Sequence, residues 1–355
     1  MRKIQDAQLE NKKVLLRVDF NVALENGRVK EKFKIESAKE TIDYLLEKNA
    51  KVALISHLGR PAYIATQNMA GRPEGKNNLE FSLRQIIEDV ENILGRKIRF
   101  IDDCVSEEVK NNLENLAQGE IIMLENVRFY EGDENNDEEF SRKLSNGFDI
   151  FINDAFSASH RDHASVTGVA KFLPSFAGLR LQKEVEEMEK IKNDFAHPAV
   201  AIIGGAKIET KLPVIKFFEE KYDNILVGGK IANEALDQKK EFSEKVILPF
   251  DFIDDRLDIG PKTLEKFQEI ISSAKTIVWN GPTGKFEDEK YALSSNEILK
   301  TVLQSDAYTV VGGGETLEIL EKNDATDKIS FVSTGGGAML EYLGGGEMPG
   351  IEILK

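Results

Sequence analysis

The sequence predicts an α/β protein built on parallel sheets and divided into two domains. Three observations carry that expectation. Short, β-branched apolar runs recur along the whole chain, charged stretches with helical spacing separate them, and 355 residues exceed what one hydrophobic core comfortably holds. The apolar runs are Val14–Val18, Val52–Ser56, Glu120–Leu124, Asp149–Asn153, Ala199–Ile203, Asn224–Gly228, Thr276–Asn280, Tyr308–Gly312 and Ile329–Ser333. Continuously apolar strands of this kind belong in a sheet covered on both faces.

Between the runs, helical periodicity is clear. Ile35, Ala38, Ile42 and Leu45 share one face of the stretch IESAKETIDYLLEK. Val185, Met188 and Ile191 form a narrow apolar stripe on the charged stretch Lys183–Asn193, the pattern of a helix that bridges domains and also of an ordinary surface helix. The acidic stretch Glu131–Glu139 reads as a solvated loop, and Gly344–Glu347 as a turn. Strand alternating with helix implies βαβ units, whose ligands sit beyond the C-terminal ends of the strands.

Composition narrows the class. A hydrophobic content of 41% with 31% charged residues describes a folded chain and excludes disorder. The formal charge of −15 argues against nucleic acid or an anionic membrane as partner. The single cysteine, Cys104, cannot form an internal disulfide and reads as a small buried apolar residue. No segment has the length and apolarity of a signal peptide or membrane span, so a cytoplasmic location is the default expectation.

The chemistry-bearing motifs lie at strand ends, and they divide by type. The front half carries RVDFN (Arg17–Asn21), SHLGRP (Ser56–Pro61), ENVRF (Glu125–Phe129) and SHRDH (Ser159–His163). The back half carries GGAKIETK (Gly204–Lys211), WNGPTGKFE (Trp279–Glu287), GGGET (Gly312–Thr316) and STGGGA (Ser333–Ala338). Side-chain cations suit a small anionic metabolite, whereas exposed backbone amides suit nucleotide phosphates. The chemistry expected between two such surfaces is phosphoryl transfer.

Each motif also has a plainer reading. Gly204-Gly205 with Lys207 and Lys211 can be a tight turn followed by surface lysines. Asn280, Pro282 and Glu287 can be a turn with an exposed acid, and Thr316 a first-turn polar residue. Glu315 suits the carboxylate side of a magnesium nucleotide. His57 with Arg60, Arg128 and Arg161 are four strand-end cationic placements, each unremarkable alone and suggestive together. Neither GxxxxGK[ST] nor a GxGxxG after a strand is present, which argues against a Walker loop and a nicotinamide dehydrogenase.

Taken in order from Arg17 to Leu354, these motifs, with NDAFSASHRDHAS (Asn153–Ser165) and LDIGPKT (Leu257–Thr263), resemble the phosphoglycerate kinase family. The resemblance implies two Rossmann-like domains facing a central cleft: a substrate domain over 1–178, a connecting helix over 179–193, a nucleotide domain over 194–337, and a tail over 338–355 returning to the first domain. It implies reversible transfer of the acyl phosphate of 1,3-bisphosphoglycerate to MgADP by a monomer. By the same resemblance, Asp19, Phe20, Asn21, Lys34, His57, Leu58, Gly59, Arg60, Arg128 and Arg161 hold 3-phosphoglycerate. Gly205, Ala206, Lys211, Gly229, Gly260, Asn280, Pro282, Glu287, Gly313, Gly314, Glu315 and Thr316 hold ADP or ATP, with Glu315 reaching Mg²⁺ indirectly. Lys34, Lys207, Gly335 and Gly336 surround the phosphoryl group in transfer.

The chain departs from the family pattern at several points. Lys34 stands where the family has an arginine, losing a planar bidentate fork while keeping the charge. Glu315 replaces an aspartate, Lys230 the third glycine of a GGG turn, and Lys285 a small apolar residue. The stretch Leu236–Leu257 is compressed, which predicts an unwalled base side and broad base tolerance. Lys34 and the compression also motivate an alternative expectation, an impaired relative that binds a phosphorylated acid or a protein partner.

Overall fold

The computed structural model describes residues 1–61 and 80–355. The chain forms two compact units: Met1–Glu184 together with Met348–Lys355, and Val185–Glu347. The helix Leu179–Asn193 carries the junction between them.

The first unit is built on a six-stranded parallel sheet. Its strands are β1 (Lys13–Arg17), β2 (Lys51–Ile55), β3 (Ile98–Ile101), β4 (Ile121–Leu124), β5 (Ile150–Asn153) and β6 (Ser175–Ala177), in spatial order β3-β4-β2-β1-β5-β6. Because side chains alternate across a strand, neighbouring residues feed opposite cores. Val14, Leu16, Val52, Leu54, Ile121 and Met123 enter one core with Ile35, Ala38, Ile42 and Leu45. Leu15, Ala53, Ile55, Ile122, Leu124 and Phe151 enter the other, with Cys104. Both faces are dry, which is why these strands read as unbroken apolar runs. The periodic stretch carrying Ile35 and Ile42 is two helices, Phe33–Ser37 and Lys39–Glu47, meeting at Ala38. The C-terminal segment packs here: the Arg2 N–H donates to the Leu354 carbonyl at 2.6 Å, and Asn153 Nδ2 donates to that of Gly350 at 3.1 Å.

The second unit has its own six-stranded parallel sheet: β7 (Ala199–Ile203), β8 (Asn224–Val227), β9 (Val246–Ile247), β10 (Thr276–Asn280), β11 (Tyr308–Gly312) and β12 (Phe331–Ser333). The spatial order is β9-β8-β7-β10-β11-β12. Chain direction across the sheet reverses between β7 and β10, and the crevice at such a reversal is where doubly wound sheets bind ligands. Met188 and Ile191 of the helix Leu179–Asn193 are fully buried, and the Tyr222 hydroxyl donates to the Ile191 carbonyl at 2.8 Å.

All nine expected strands are present; the sequence misses three strands of the two six-stranded sheets and the four short strands of two hairpin-like pairs, Leu24–Glu25 with Arg28–Val29 and Phe252–Ile253 with Asp258–Ile259. β3 and β9 are edge strands; the IRFI of β3 carries a charged, exposed position, and β9 is only two residues long. β6 has three residues only. One expectation is overturned. Glu131–Glu139 is not a solvated loop: Glu131–Glu134 is helical, a second helix starts at Glu138, and Asp133 is fully buried, accepting the Ser165 N–H at 2.9 Å. Composition signalled solvation, but one buried carboxylate that accepts a backbone donor anchors the segment.

Candidate active site

In the first unit the motifs at the ends of β1, β2, β4 and β5 form one cationic cluster. Arg17, the last residue of β1, is buried, with Nη1 donating to the Val18 carbonyl at 2.9 Å and Nη2 lying 3.1 Å from His57 Nδ1. Burial lowers the Arg17 pKa to about 10. Burial, then Arg17, Arg128 and Lys34, hold His57 well below the usual imidazole range, so it is neutral at pH 7.

Asp19 and Asn21 do more than cap a turn. Burial disfavours the Asp19 charge, but Lys34 and Ser157 outweigh it and keep the carboxyl below its ordinary range. Lys34 Nζ lies 3.0 Å from Asp19 Oδ2 and also donates to the Asn21 carbonyl at 3.0 Å. Asn21 Oδ1 accepts the Gly59 N–H at 2.8 Å, and Phe20 donates its N–H to Ser56 Oγ. Gly59 has φ +62° and a Cβ there would meet the Phe81 ring at 2.4 Å, so this turn requires glycine.

Arg128 is fixed by the Gly59 carbonyl at 2.9 Å and by Glu134 at 3.3 Å. Burial lowers its pKa; Arg60 and Arg161 add to that effect, which places the three guanidiniums in one field. Arg60 and Arg161 are exposed and have no ion-pair partner among the described residues. His160, held by burial at about 4, and His163, 3.9 Å from Asp133, complete the cluster. Leu58 is buried, and its carbonyl accepts from Asn126. The supporting roles of Arg17, Asn126 and Asp133 escape sequence reading: the first two stand in quoted motifs, but what each does depends on burial and on partners that only the fold supplies.

In the second unit, four glycine-bearing loops converge at the reversal between β7 and β10. Backbone meets backbone there: a Cβ on Gly204 would stand 2.0 Å from the Pro282 carbonyl oxygen, and one on Gly336 would stand 2.6 Å from Gly313 Cα. Asn280, at the end of β10, ties the loops together. Its Oδ1 accepts from Lys211 Nζ at 2.6 Å and its Nδ2 donates to the Gly336 carbonyl at 3.5 Å. Burial lowers the Lys211 pKa to about 8, with Glu315 opposing the shift. Thr316 Oγ1 accepts the Gly281 N–H at 2.7 Å, which fixes the side chain against the end of β10. Gly335, buried, donates its N–H to Ser333 Oγ at 3.2 Å. Lys207 is exposed, and its ammonium has no ion-pair partner among the described residues.

Beside this junction lies a cavity of about 310 Å³. Gly205, Ala206, Gly229, Pro282, Glu287 and Glu315 line it, as do Lys230, Asn233, Asp255, Arg256, Leu257, Lys285 and Phe286. Gly260 is not at its wall; it precedes the helix Pro261–Ser273, with its N–H on the Asp251 carbonyl and the Asp251 carboxylate covering its α-carbon. Gly313 and Gly314 border the junction without lining the cavity. Partial burial and then Glu287 push the Glu315 carboxyl above its usual range, while Lys211 pulls it down.

The compressed segment supplies a wall after all. Arg256, at φ +60°, sits in a left-handed turn with Asp254 at φ +45°. The turn is pinned on one side by Asn233 Nδ2 donating to the Arg256 carbonyl at 3.0 Å and by the Arg256–Asp237 pair at 2.7 Å. On the other side the Lys285 N–H donates to the Leu257 carbonyl at 2.8 Å, and Lys290 and Tyr291 hold Asp254 at 2.5 and 2.9 Å. Asp255, Arg256 and Leu257 thus form a short polar strap along one wall of this cavity. Sequence pattern cannot reveal it, because every pin is a contact between segments distant along the chain.

Comparisons with known proteins agree with this geometry. The family profile of phosphoglycerate kinase matches residues 4–246 and 251–346, breaking inside the compressed stretch. A phosphoglycerate kinase of Moorella thermoacetica is 38% identical over 397 residues, covering 99% of this chain and 98% of its own. One from Borrelia garinii subsp. bavariensis is 37% identical over 390 residues, covering 97% of this chain and 96% of its own. Among solved structures, phosphoglycerate kinase from Pyrococcus horikoshii superposes with a TM-score of 0.86 at 29% identity, over 100% of this chain and 98% of that one. That from Coxiella burnetii gives 0.79 at 33%, over 99% and 98%. With the family matched along nearly the whole chain and its glycine junction and cationic cluster both formed, the chain belongs to the phosphoglycerate kinase family and is a phosphotransferase with a carboxyl group as acceptor.

Proposed function

We propose that this chain transfers the acyl phosphate of 1,3-bisphosphoglycerate reversibly to MgADP, with the roles divided between the two clusters. Arg60, Arg128 and Arg161 hold the non-transferring phosphate, since guanidiniums match phosphate geometry and two of these have no ion-pair partner among the described residues. Neutral His57, Asn21 and Asp19 orient the glycerate through hydrogen bonds, and Phe20, Leu58 and Gly59 shape that site. Lys34 already spends two of its three donors on Asp19 and Asn21, leaving one for the transferring group.

The observation that best supports this reading is the junction of four glycine loops around the Lys211–Asn280 pair. Backbone amides at Gly205, Ala206, Gly313 and Gly314 suit phosphates and that at Gly336 suits the phosphoryl group in flight, whereas the Gly229 and Gly335 amides are already given to the Thr283 carbonyl and Ser333 Oγ and shape the loops instead. Transfer asks for in-line positioning and neutralised equatorial oxygens, not covalent chemistry. Lys207, unpaired, supplies charge where it develops; Lys211 contacts the nucleotide phosphates; Pro282, Glu287 and Thr316 shape the ribose side. We leave Gly260 out of the contact set.

The donor set fits a metal carried on the nucleotide. Among the described residues no three His, Cys, Asp or Glu side chains gather to hold an ion unaided, whereas Glu315 beside Glu287 offers the one or two carboxylates that Mg²⁺ on phosphates needs. When bound, Mg²⁺ neutralises phosphate charge. Among the described residues no helix is long and apolar enough to cross a membrane. We take the chain to act as a cytoplasmic monomer without nucleic-acid or membrane partners.

The test is phosphoryl transfer from MgATP to 3-phosphoglycerate by the purified chain, with Lys207→Ala alongside. Lys207→Ala should lower kcat by about 100-fold or more and leave the nucleotide KM within roughly threefold, because its charge acts in the transition state. An unchanged kcat with a raised KM refutes that role. Binding of 3-phosphoglycerate without turnover by the unaltered chain would favour the impaired relative.

A further inference from the structure

The strap across the second-unit cavity brings uncommitted charge to one end of it. The helix Gly229–Asp237 runs away from the glycine junction, and the strap is attached to it at Asn233 and Asp237. At 1.5 Å per residue, those attachments lie about 6 and 12 Å from Gly229, one to two turns along the axis. A nucleotide with its phosphates on the glycine loops therefore directs its base toward the strap.

The charged groups at that end fall into two kinds. Arg256 and Asp254 are engaged in holding the strap, by Asp237 and by Lys290 with Tyr291. The Asp255 carboxylate, between them in sequence, lines the cavity and has no hydrogen-bond or ion-pair partner among the described residues. The Lys285 ammonium lines it too, equally unpaired, with its backbone bound to the strap at Leu257. The strap is held by its neighbours, so Asp255 is presented rather than structural.

We propose that Asp255 reads the nucleotide base and gives this chain a preference for guanine over adenine nucleotides. This rests on the reading that the cavity takes the nucleotide. Guanine offers N1–H and its 2-amino group as adjacent donors, which the two oxygens of one carboxylate accept as a bidentate pair. Its O6 accepts from an ammonium such as that of Lys285. Adenine offers one exocyclic amine beside N1, whose lone pair faces a carboxylate unfavourably. Hydrogen bonds to charged groups are the stronger kind, and at an exposed rim the pair should be worth about tenfold in affinity.

The test is calorimetric binding of MgGDP and MgADP to the full chain, with GTP- and ATP-driven phosphorylation of 3-phosphoglycerate measured alongside. The unaltered chain should bind MgGDP about tenfold tighter than MgADP. Asp255→Asn, which turns one acceptor into a donor, should bring that ratio to one or below, mainly by weakening MgGDP. Asp255 is exposed and its carboxylate has no partner among the described residues, so thermal melts of the variant should match the unaltered chain. Equal or tighter MgADP binding, or a ratio untouched by Asp255→Asn, overturns the proposal. Failure of either nucleotide to bind overturns it together with the nucleotide reading. A guanine preference in binding without turnover upholds it while refuting the kinase reading.

Discussion

Lys34→Met isolates the buried Lys34–Asp19 ion pair of the cationic cluster. Asp19 and Lys34 have side chains only 5% and 15% exposed, so water does little to screen them. Removing one partner from a buried pair costs about 3–5 kcal/mol, because the remaining charge is stranded. Asp19 keeps the Asn21 N–H, which argues for the lower end, about 3 kcal/mol. The first unit has about 190 residues, for which 1 kcal/mol moves Tm by about 2–4 °C, so its unfolding transition should fall by roughly 6–12 °C. The assay is differential scanning calorimetry at pH 7 on the parent, Lys34→Met, Asp19→Asn and the double variant. The double variant should recover much of the loss, since the stranded charge is gone. The sign with pH follows from the Asp19 carboxyl lying below its ordinary range. Its stabilisation is present above the unfolded carboxylate pKa of about 3.9 and is lost as pH falls through the folded value, so parent and Lys34→Met should converge in acid. A drop under about 2 °C at pH 7, or a double variant no more stable than Lys34→Met, would show that the pair is worth no more than a surface contact.

Three further outcomes are expected. Lys34→Arg keeps the tie to Asp19 and adds donors in a fork, so turnover with 3-phosphoglycerate should rise by about tenfold; steady-state kinetics showing no change would mean the single free donor of lysine suffices. Lys211, with a pKa near 8, is charged below that value and neutral above it. The kcat/KM for nucleotide should therefore decline as pH rises through about 8, and a flat profile from pH 7 to 9 would contradict its phosphate contact. In Gly204→Ala the new methyl meets backbone oxygen and carbon of Pro282 and Gly281 on both sides. Parting the β7 and β10 loops should cost about 2–4 kcal/mol through overpacking and the lost Gly204–Asn280 bond, read as a lower urea midpoint.

Sequence pattern reaches the architecture through the parallel strands, because a strand buried on both faces has to be apolar at every position. Nine such runs are nine strands, and the motifs placed at their ends lie at the ends of β1, β2, β4, β5, β7, β10, β11 and β12. The same rule is blind to β3, β6 and β9, which sit at edges or pair for two to four residues. It also misleads at Glu131–Glu139, where one buried carboxylate, Asp133, outweighs a solvated composition.

What the amino-acid order by itself determined is the set of strands and the chemistry at their ends: cations after the front strands, glycines and lysines after the back ones. Those properties are local, written in runs of apolar residues and in the backbone freedom of glycine. What only the tertiary structure decided is which groups are spent and which remain available. Arg17 is committed to His57, Lys34 to Asp19, Thr316 to Gly281 and Gly260 to Asp251, while Arg60, Arg161, Lys207 and Asp255 have no side-chain partner among the described residues. Commitment depends on partners tens of residues away, on the desolvation that shifts His57 and Lys211, and on a strap pinned to a helix and a loop at once. No periodicity encodes those contacts, because they exist only after the chain has folded around them.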